Sequence, residues 1–412
     1  MLTYFPTPFP GEWWYSVLCR YHVRTGNEKM QTTVRELFGD KEQASMGAVF
    51  PNAGILRVLD RLPRNLFSIR EIILQHTLFP YYTRFHNLET KEAMLRRLSA
   101  GETLVIPCVR RFAERSKWQP RYCPVCVQED RKSYGEAYWH IVHQIPMMEV
   151  CPVHGCKLAV SPGVQASHMG YTFYPLDDID AAAPEYLPLK SWQQTISQIL
   201  RDYQSLPIEA GATDGYSNLA IAVGNMGYEA LQKHSPHTIL EAKKVYSDMA
   251  AFYGRELVER IFGPRENTYT INKTCKWGMQ VPERYALLQC FAGLDTKTMF
   301  SSARLQSRYE EQLLQYQKSE TAYGKKQLAA EMGIRLSQLD ILTEKYGIQP
   351  PWTRGRAGTD ETELQKISVR FTETEYAAFK QAMENSGCRY NSHFAKHCIL
   401  AYIQELDAGN VD

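Results

Sequence analysis

Cys123-Pro124-Val125-Cys126 and, twenty-four residues further on, Cys151-Pro152-Val153-His154 decide how this chain is read. The two stretches are one design written twice: a Pro in a tight turn between two soft or borderline ligands. Zn²⁺ takes four such ligands in a tetrahedron. The short spacing lets both side chains of a pair face one ion, and the Pro pre-sets φ in each turn. The spacing therefore predicts a Zn²⁺ site built from Cys123, Cys126, Cys151 and His154. The bland alternative, thiols buried as small hydrophobes, needs both pairs to fall at ligand spacing by accident. Four protein ligands leave no open position, so the site is expected to be structural rather than catalytic. Zinc deaminases place His-x-Glu before Pro-Cys-x-x-Cys; here Pro124 lies inside the pair and no His-x-Glu precedes it. His140, His143 and Cys156 are spare donors, expected to pack and to hydrogen-bond the ligands.

The rest of the composition narrows the classes. The 412 residues are 44% hydrophobic and 12% aromatic, with a net charge of +2. That is enough apolar material for real cores and too much chain for one domain, so two to four units are expected. The chain is not globally basic, and any nucleic-acid surface must be local. Ten cysteines are too sparse for a disulfide scaffold. Met1–Pro10 is aromatic and Pro-rich rather than basic then apolar, and no apolar run approaches the roughly 20 residues of a membrane helix. The expectation is a cytoplasmic, nucleoid-associated protein with reduced thiols and no membrane partner. No nucleophile elbow, Gly-rich phosphate loop or open metal site is present, so no enzymatic activity is expected.

Walking outward from the zinc turns predicts a mainly α, multidomain chain. Residues 1–118 read as a helical domain, with patterns over Glu12–His22, Thr32–Phe38, Ile55–Leu62, Ile69–Thr77 and Lys91–Leu98. A basic stretch with interleaved aromatics contains Arg96, Arg97, Arg110, Arg111, Arg115, Lys117 and Arg121, the pattern of a phosphate-contacting segment. An ordinary solvated face explains it equally well. The zinc module occupies 119–160. Residues 161–190, rich in Pro and Asp, read as a linker. A helical domain follows over 191–350, then a second linker over 351–363.

Two segments suggest DNA-reading units. Residues 324–348 fit a helix-turn-helix: Ala329 where the helices cross, Gly333 in the turn, Leu339 and Leu342 on the buried face, and Ser337 as the N-cap of the second helix. Arg335, Ser337, Gln338 and Ile341 would face the major groove, and Lys325 and Lys326 the backbone. A packing hairpin is the alternative, since Asp340 and Glu344 are poor neighbours for phosphate. Residues 364–404 resemble a small α+β ribbon-helix-helix module. In it, Lys366, Ser368 and Arg370 alternate with Ile367, Val369 and Phe371, and Thr372 with Glu375 caps the helix that follows. A lone strand leaves half its hydrogen bonds unmade, so the module implies a homodimer, with the polar strand face offered to DNA.

The opening Tyr4-Phe5-Pro6-Thr7-Pro8-Phe9-Pro10-Gly11-Glu12, then Tyr15-Ser16-Val17-Leu18-Cys19-Arg20, is similar to the start of TnsD/TniQ proteins. His76-Thr77-Leu78-Phe79-Pro80-Tyr81-Tyr82 and Tyr134-Gly135-Glu136-Ala137-Tyr138-Trp139-His140 resemble that family too, as do the zinc turns. Lys276-Trp277 and Pro282–Gln289 resemble the TnsD C-terminal region more loosely. The resemblance implies target-site selection for a TnsABC-type transposon. A chromosomal attachment site on double-stranded DNA would be bound, and the AAA+ ATPase TnsC recruited; transposase subunits are further implied partners. It places the zinc ligands on Cys123, Cys126, Cys151 and His154. Two other roles are weighed beside it: a TniQ-type adaptor docked on a CRISPR RNA-guided complex, and a dimeric zinc-containing transcription regulator.

Overall fold

Trp13 and the helix Trp14–Thr25 (α1) organise the N-terminal core. Trp13, Tyr15, Val17, Leu18 and Cys19 are all buried, so this helix is surrounded on most sides rather than on one stripe. Gly26 closes it at φ 66°, a left-handed position that suits glycine. Around it stand Met30–Phe38 (α2), Ala53–Leu59 (α3), Ile69–Gln75 (α4), Phe79–Thr83 (α5) and Leu88–Ser99 (α6). Asn52 and Asn87 cap α3 and α6 through side-chain oxygens. The computed structural model describes residues 2–39, 46–64, 66–104, 119–161, 163–164, 169, 172–186, 190–210, 212–231, 238–264, 269–276, 281–318, 324–348, 371–386 and 391–407. Among these the chain is mainly helical, with two two-stranded sheets: Arg121–Tyr122 (β1) against Ala159–Val160 (β2), and Glu229–Leu231 (β3) against Thr238–Leu240 (β4), both antiparallel.

The described residues among 161–190, a stretch whose composition reads as linker, lie along this core. Val164, Met169, Phe173 and Leu176 are buried. The strap's backbone is satisfied by side chains of the domain beneath: the Tyr15 hydroxyl donates to Thr172 O at 2.7 Å, and Trp139 Nε1 donates to Tyr174 O at 2.8 Å. An extended, Pro-rich segment can be buried when its carbonyls find such partners.

The described helical region from Ser191 to about Leu305 shares the same hydrophobic core. Phe85 stacks on Tyr285 with ring centroids 3.7 Å apart. Arg84, nearly fully buried, donates to the carbonyls of Tyr203, Leu206 and Pro207 at 2.6–2.8 Å, where the helix Ser191–Ser205 ends. Lys91 Nζ donates to Ile208 O at 2.9 Å. A helix C-terminus carries unpaired carbonyls and partial negative charge, and two cations from the N-terminal part answer both. Burial lowers their own pKa values, to about 10 for Arg84 and about 8 for Lys91.

Glu283, on the helix Pro282–Phe291, is fully buried and accepts from the Tyr81 hydroxyl at 2.9 Å. Burial raises its pKa to about 7. A carboxyl whose folded pKa lies above its unfolded value stabilises the fold fully below the unfolded pKa and loses that contribution as pH rises through the folded one. Glu283→Gln, which keeps the acceptor and removes the charge, is expected to raise stability by about 2 kcal/mol at pH 8 and to leave it unchanged at pH 4, below the unfolded pKa. Melting curves at the two pH values check this; an equal shift at both would sink it.

A second, smaller core lies downstream. It holds Tyr309 and Leu313 from the helix Arg308–Lys318, Leu328, Ala329 and Met332 from the helix Lys325–Glu331 and the residue after it, and Leu339 and Leu342 from the helix Leu336–Tyr346. Gly333 makes the turn between the last two helices at φ 65°. Leu231, at the end of β3, packs against this core.

Residues Thr353–Asp412 form a separate compact unit. Its described part is two helices, Glu373–Asn385 and Asn391–Asp407. Thr372 caps the first, with Glu375 reaching back to the Thr372 N–H at 2.8 Å. The alternating stretch at 366–370, with Lys366, Ser368 and Arg370, lies outside the described residues. No described helix is long and apolar enough to cross a membrane.

Candidate metal centre and nucleic-acid interface

The first knuckle forms where β1 ends and the helix Pro124–Tyr134 (α7) begins. Cys123 is the N-cap, Pro124 occupies the first turn, and the Cys126 N–H points at Cys123 Sγ from 3.4 Å. The second knuckle is a hairpin: Cys151 N bonds Cys156 O at 2.8 Å, Gly155 N bonds Cys151 O at 2.9 Å, and the His154 N–H points at Cys151 Sγ from 3.4 Å. Pairing of β1 with β2 brings the knuckles together. The ligand atoms of Cys123, Cys126, Cys151 and His154 all lie within 4.8 Å of one another. His154 presents Nδ1, at 3.4 Å from Cys123 Sγ, 3.3 Å from Cys126 Sγ and 3.6 Å from Cys151 Sγ; Cys126 and Cys151 sulfurs are 3.9 Å apart. Ideal tetrahedral bonds to zinc would set S···S at about 3.8 Å and S···N at about 3.6 Å. The donor set and spacing therefore fit a metal ion.

The surroundings favour the same conclusion. Hydrogen bonds with Cys123 and Cys151, and then burial, hold the Cys126 thiol far above its ordinary pKa. Hydrogen bonds from Cys123 and Cys126 pull Cys151 far below. A divalent ion held there would replace the thiol protons and keep all three sulfurs as thiolates. His154 Nε2 contacts Glu129 Oε2 at 3.0 Å, which orients the ring with Nδ1 inward. Cys156 Sγ lies 3.3 Å from Cys123 Sγ, and His143 Nε2 lies 3.7 Å from Cys151 Sγ. His140 turns away to Asp130 at 2.8 Å. Sequence reading missed Glu129, although its place three residues after Cys126 on α7 was a usable signal.

The knuckles are wired into the N-terminal core. Trp13 N bonds Trp139 O at 2.7 Å, Ile141 N bonds Gly11 O at 2.9 Å, and Trp139 N bonds Ser16 Oγ at 3.0 Å. Beneath this seam Glu12 is fully buried and paired with Arg20 at 2.8 Å. Arg20 also holds Glu136 at 2.9 Å and stacks its guanidinium 3.6 Å above the Phe9 ring. His76 Nδ1 lies 2.7 Å from Glu12 O. Buried Glu12, Arg20, His76 and Trp139 and half-buried Glu136 therefore meet at one seam, although they span 128 positions of sequence.

The sequence-predicted DNA contacts are distributed unevenly. Lys326, Arg335 and Ser337 are exposed; Lys325, Gln338 and Ile341 are half-buried. Lys325 Nζ pairs with Asp340 at 2.5 Å. Arg335, not Ser337, is the N-cap of the helix Leu336–Tyr346, and Gln338 serves it by accepting from Arg335 N at 2.9 Å. Gln338 Nε2 also donates to Leu231 O at 3.3 Å, which ties the helix to β3. The side chain expected to face a base is thus committed at both ends, because a polar group at N3 reaches the N-cap N–H more easily than solvent. Arg121 donates to Ile145 O and Met148 O at 2.6 Å inside the zinc region, so it is a structural anchor. Arg97 pairs with Glu102. Arg110, Arg111, Arg115 and Lys117, like Lys366, Ser368 and Arg370, lie outside the described residues.

Comparison with known proteins adds two findings. Residues 3–158 match the family model described as TniQ. A stretch of 155 residues is 28% identical to the transposon Tn7 transposition protein TnsD of Escherichia coli; it covers 37% of this chain and 30% of that protein. The matched part therefore spans about a third of the relative's length.

Proposed function

We propose that this protein, whose residues 3–158 match the TniQ family model, selects the target of a Tn7-type transposon. It binds a fixed chromosomal attachment site in double-stranded DNA, recruits the AAA+ ATPase TnsC and leaves strand transfer to the transposase subunits. It is not itself an enzyme, and it works in the cytoplasm on the nucleoid. The metal in the Cys123–Cys126–Cys151–His154 cluster is Zn²⁺, with a structural role, since three thiolates and an imidazole close the tetrahedron.

One observation carries this reading: the TniQ segment, with its metal cluster, shares a single core with a large helical region, and that region leads into a compact pair of helices joined at Gly333. Taken as a helix-turn-helix, the pair offers Arg335 and Ser337 at the start of its second helix, with Lys326 nearby, as donors to bases and phosphates; Ile341 adds an apolar contact. Lys325 joins them when DNA competes for it against Asp340. Arg110, Arg111, Arg115 and Lys117 supply phosphate contacts, as do Lys366, Ser368 and Arg370 of a ribbon-helix-helix end.

Selection of fragmented host genomic DNA on the purified, zinc-loaded protein at near-physiological salt tests the reading. One enriched locus is expected; uniform weak enrichment would reject sequence-specific selection. On the enriched site Arg335→Ala is expected to cost about 1–3 kcal/mol and on random DNA much less. Equal losses on both would remove Arg335 from base readout.

A second reading has its own support. Asp340 and Glu344 are exposed on the helix that would enter the groove, and Gln338 is spent on the fold. These features suit an adaptor that docks on an RNA-guided complex and leaves sequence to the guide. Uniform enrichment in the same selection is the outcome this reading expects.

A further inference from the structure

The four-ligand cluster leaves one neighbouring thiol over, that of Cys156. Its sulfur lies 3.3 Å from Cys123 Sγ, and both residues are fully shielded from solvent. The four gathered ligand atoms do not include it, so it stands outside them, against the Cys123 corner. Two thiolates on one zinc stand about 3.8 Å apart at ideal geometry. At 3.3 Å the pair is too close to bind one ion together: one sulfur binds, and the other keeps its proton and donates S–H to it. The two side chains have the same chemistry, so they contend for one corner. The backbone around Cys156 is fixed, because its carbonyl accepts from Cys151 N at 2.8 Å and Val150 bridges Lys157 across the hairpin. The side chain keeps one freedom, χ1, and a change of rotamer carries a sulfur about 3 Å.

We propose that Cys156 is an alternate metal ligand, which takes the Cys123 corner whenever the contact of Cys123 with the ion opens. The inference rests on the reading of Cys123, Cys126, Cys151 and His154 as a zinc site. A corner that opens at a protein surface is taken by water. Here neither sulfur is exposed, and the donor in contact with the corner is another thiol. The exchange balances: Cys156 gives up its proton as it binds, and Cys123 takes one up as it leaves, so the charge of the cluster is unchanged. The Cys126 corner differs. It is held against Cys151 Sγ at 3.9 Å and His154 Nδ1 at 3.3 Å, and both atoms are already ligands. Cys156 therefore protects one corner, and through it slows the loss of the ion to competing chelators.

Zinc transfer from the full chain to the chromogenic chelator 4-(2-pyridylazo)resorcinol tests this. A tethered sulfur competes at a millimolar effective concentration, so against about 0.1 mM chelator Cys156→Ser is expected to release zinc about ten-fold faster than wild type. Cys156→Ala is expected to match it. A serine hydroxyl still donates a hydrogen bond to Cys123 but is a poor zinc ligand. Fast release from the Ala variant alone would thus reduce Cys156 to a hydrogen-bonding residue and overturn the proposal. Cobalt uptake gives a second readout. Cys123→Ser is expected to keep Co²⁺ with the thiolate-to-metal absorption of three sulfurs, and Cys123→Ser with Cys156→Ser to lose that absorption. Loss of Co²⁺ from Cys123→Ser as complete as from Cys126→Ser counts against the alternate ligand. A wild-type chain that binds no zinc would reject the ligand reading itself. Zinc-loaded wild type whose release neither Cys156 variant changes would reject the alternate ligand alone.

Discussion

Cys126→Ser is expected to strip the chain of stoichiometric zinc and to unfold its N-terminal core. Cys126 Sγ sits against both Cys151 Sγ and His154 Nδ1, so its loss opens the cluster on two edges. A structural zinc contributes about 10–16 kcal/mol in peptide-sized sites, whereas the net stability of a whole domain is only about 5–15 kcal/mol. The damage should spread, because the Trp13–Trp139 and Gly11–Ile141 hydrogen bonds join the knuckles to α1. Metal analysis and near-ultraviolet circular dichroism, which reports the buried tryptophans, provide the readouts. Cys156→Ser is the control: its sulfur touches Cys123 but lies outside the ligand set, so zinc should be retained. Full zinc content with an unchanged melting curve in Cys126→Ser would refute the ligand assignment.

Arg20→Ala carries the next largest effect. It removes the partner of a fully buried Glu12, the second contact of Glu136 and the guanidinium over Phe9. Breaking a buried ion pair from one side costs about 3–5 kcal/mol, because the remaining charge is left in an apolar setting. Glu12 has one escape. Burial, opposed by Arg20, already raises its pKa to about 7 from the usual 4.5, and without Arg20 it rises further. A raised carboxyl stabilises the fold fully below the unfolded pKa and loses that contribution as pH climbs through the folded one. The deficit of Arg20→Ala should therefore be largest at pH 8 and shrink towards pH 5, where Glu12 takes a proton. A deficit independent of pH would mean that lost packing, and not the stranded carboxylate, sets the cost.

The gathering of Cys123, Cys126, Cys151 and His154 was legible because knuckle spacing is local: three positions along the chain already bring two side chains together. The helix starting after Thr372 was legible for the same reason, since Thr372 and Glu375 meet across a single turn. What could not be read was long-range. Nothing in the composition of 161–190 distinguishes a free linker from a strap held by Tyr15 and Trp139 from below. Nothing near Arg84 or Lys91 announces that their charges end on carbonyls more than a hundred residues away. The cap of the helix Leu336–Tyr346 failed for a subtler reason. Ser337 has the better capping chemistry, but the helix begins two residues earlier than that cap would have it, and the long side chain of Gln338 does the work from inside. The five residues of the Glu12–Arg20 network lie in segments whose resemblance to the family was visible, yet their shared contact was not.

Arg84 and Lys91 also bear on how such a protein can change over generations. The family match stops at residue 158, but these two cations reach past it to hold the end of the helix Ser191–Ser205. The boundary of inheritance is therefore not a boundary of folding. A recombination event that exchanged everything after residue 158 would leave two buried cations facing foreign backbone. A change in the downstream helices has to arise within one continuous structure, residue by residue, or by exchange farther along the chain, where the second core begins.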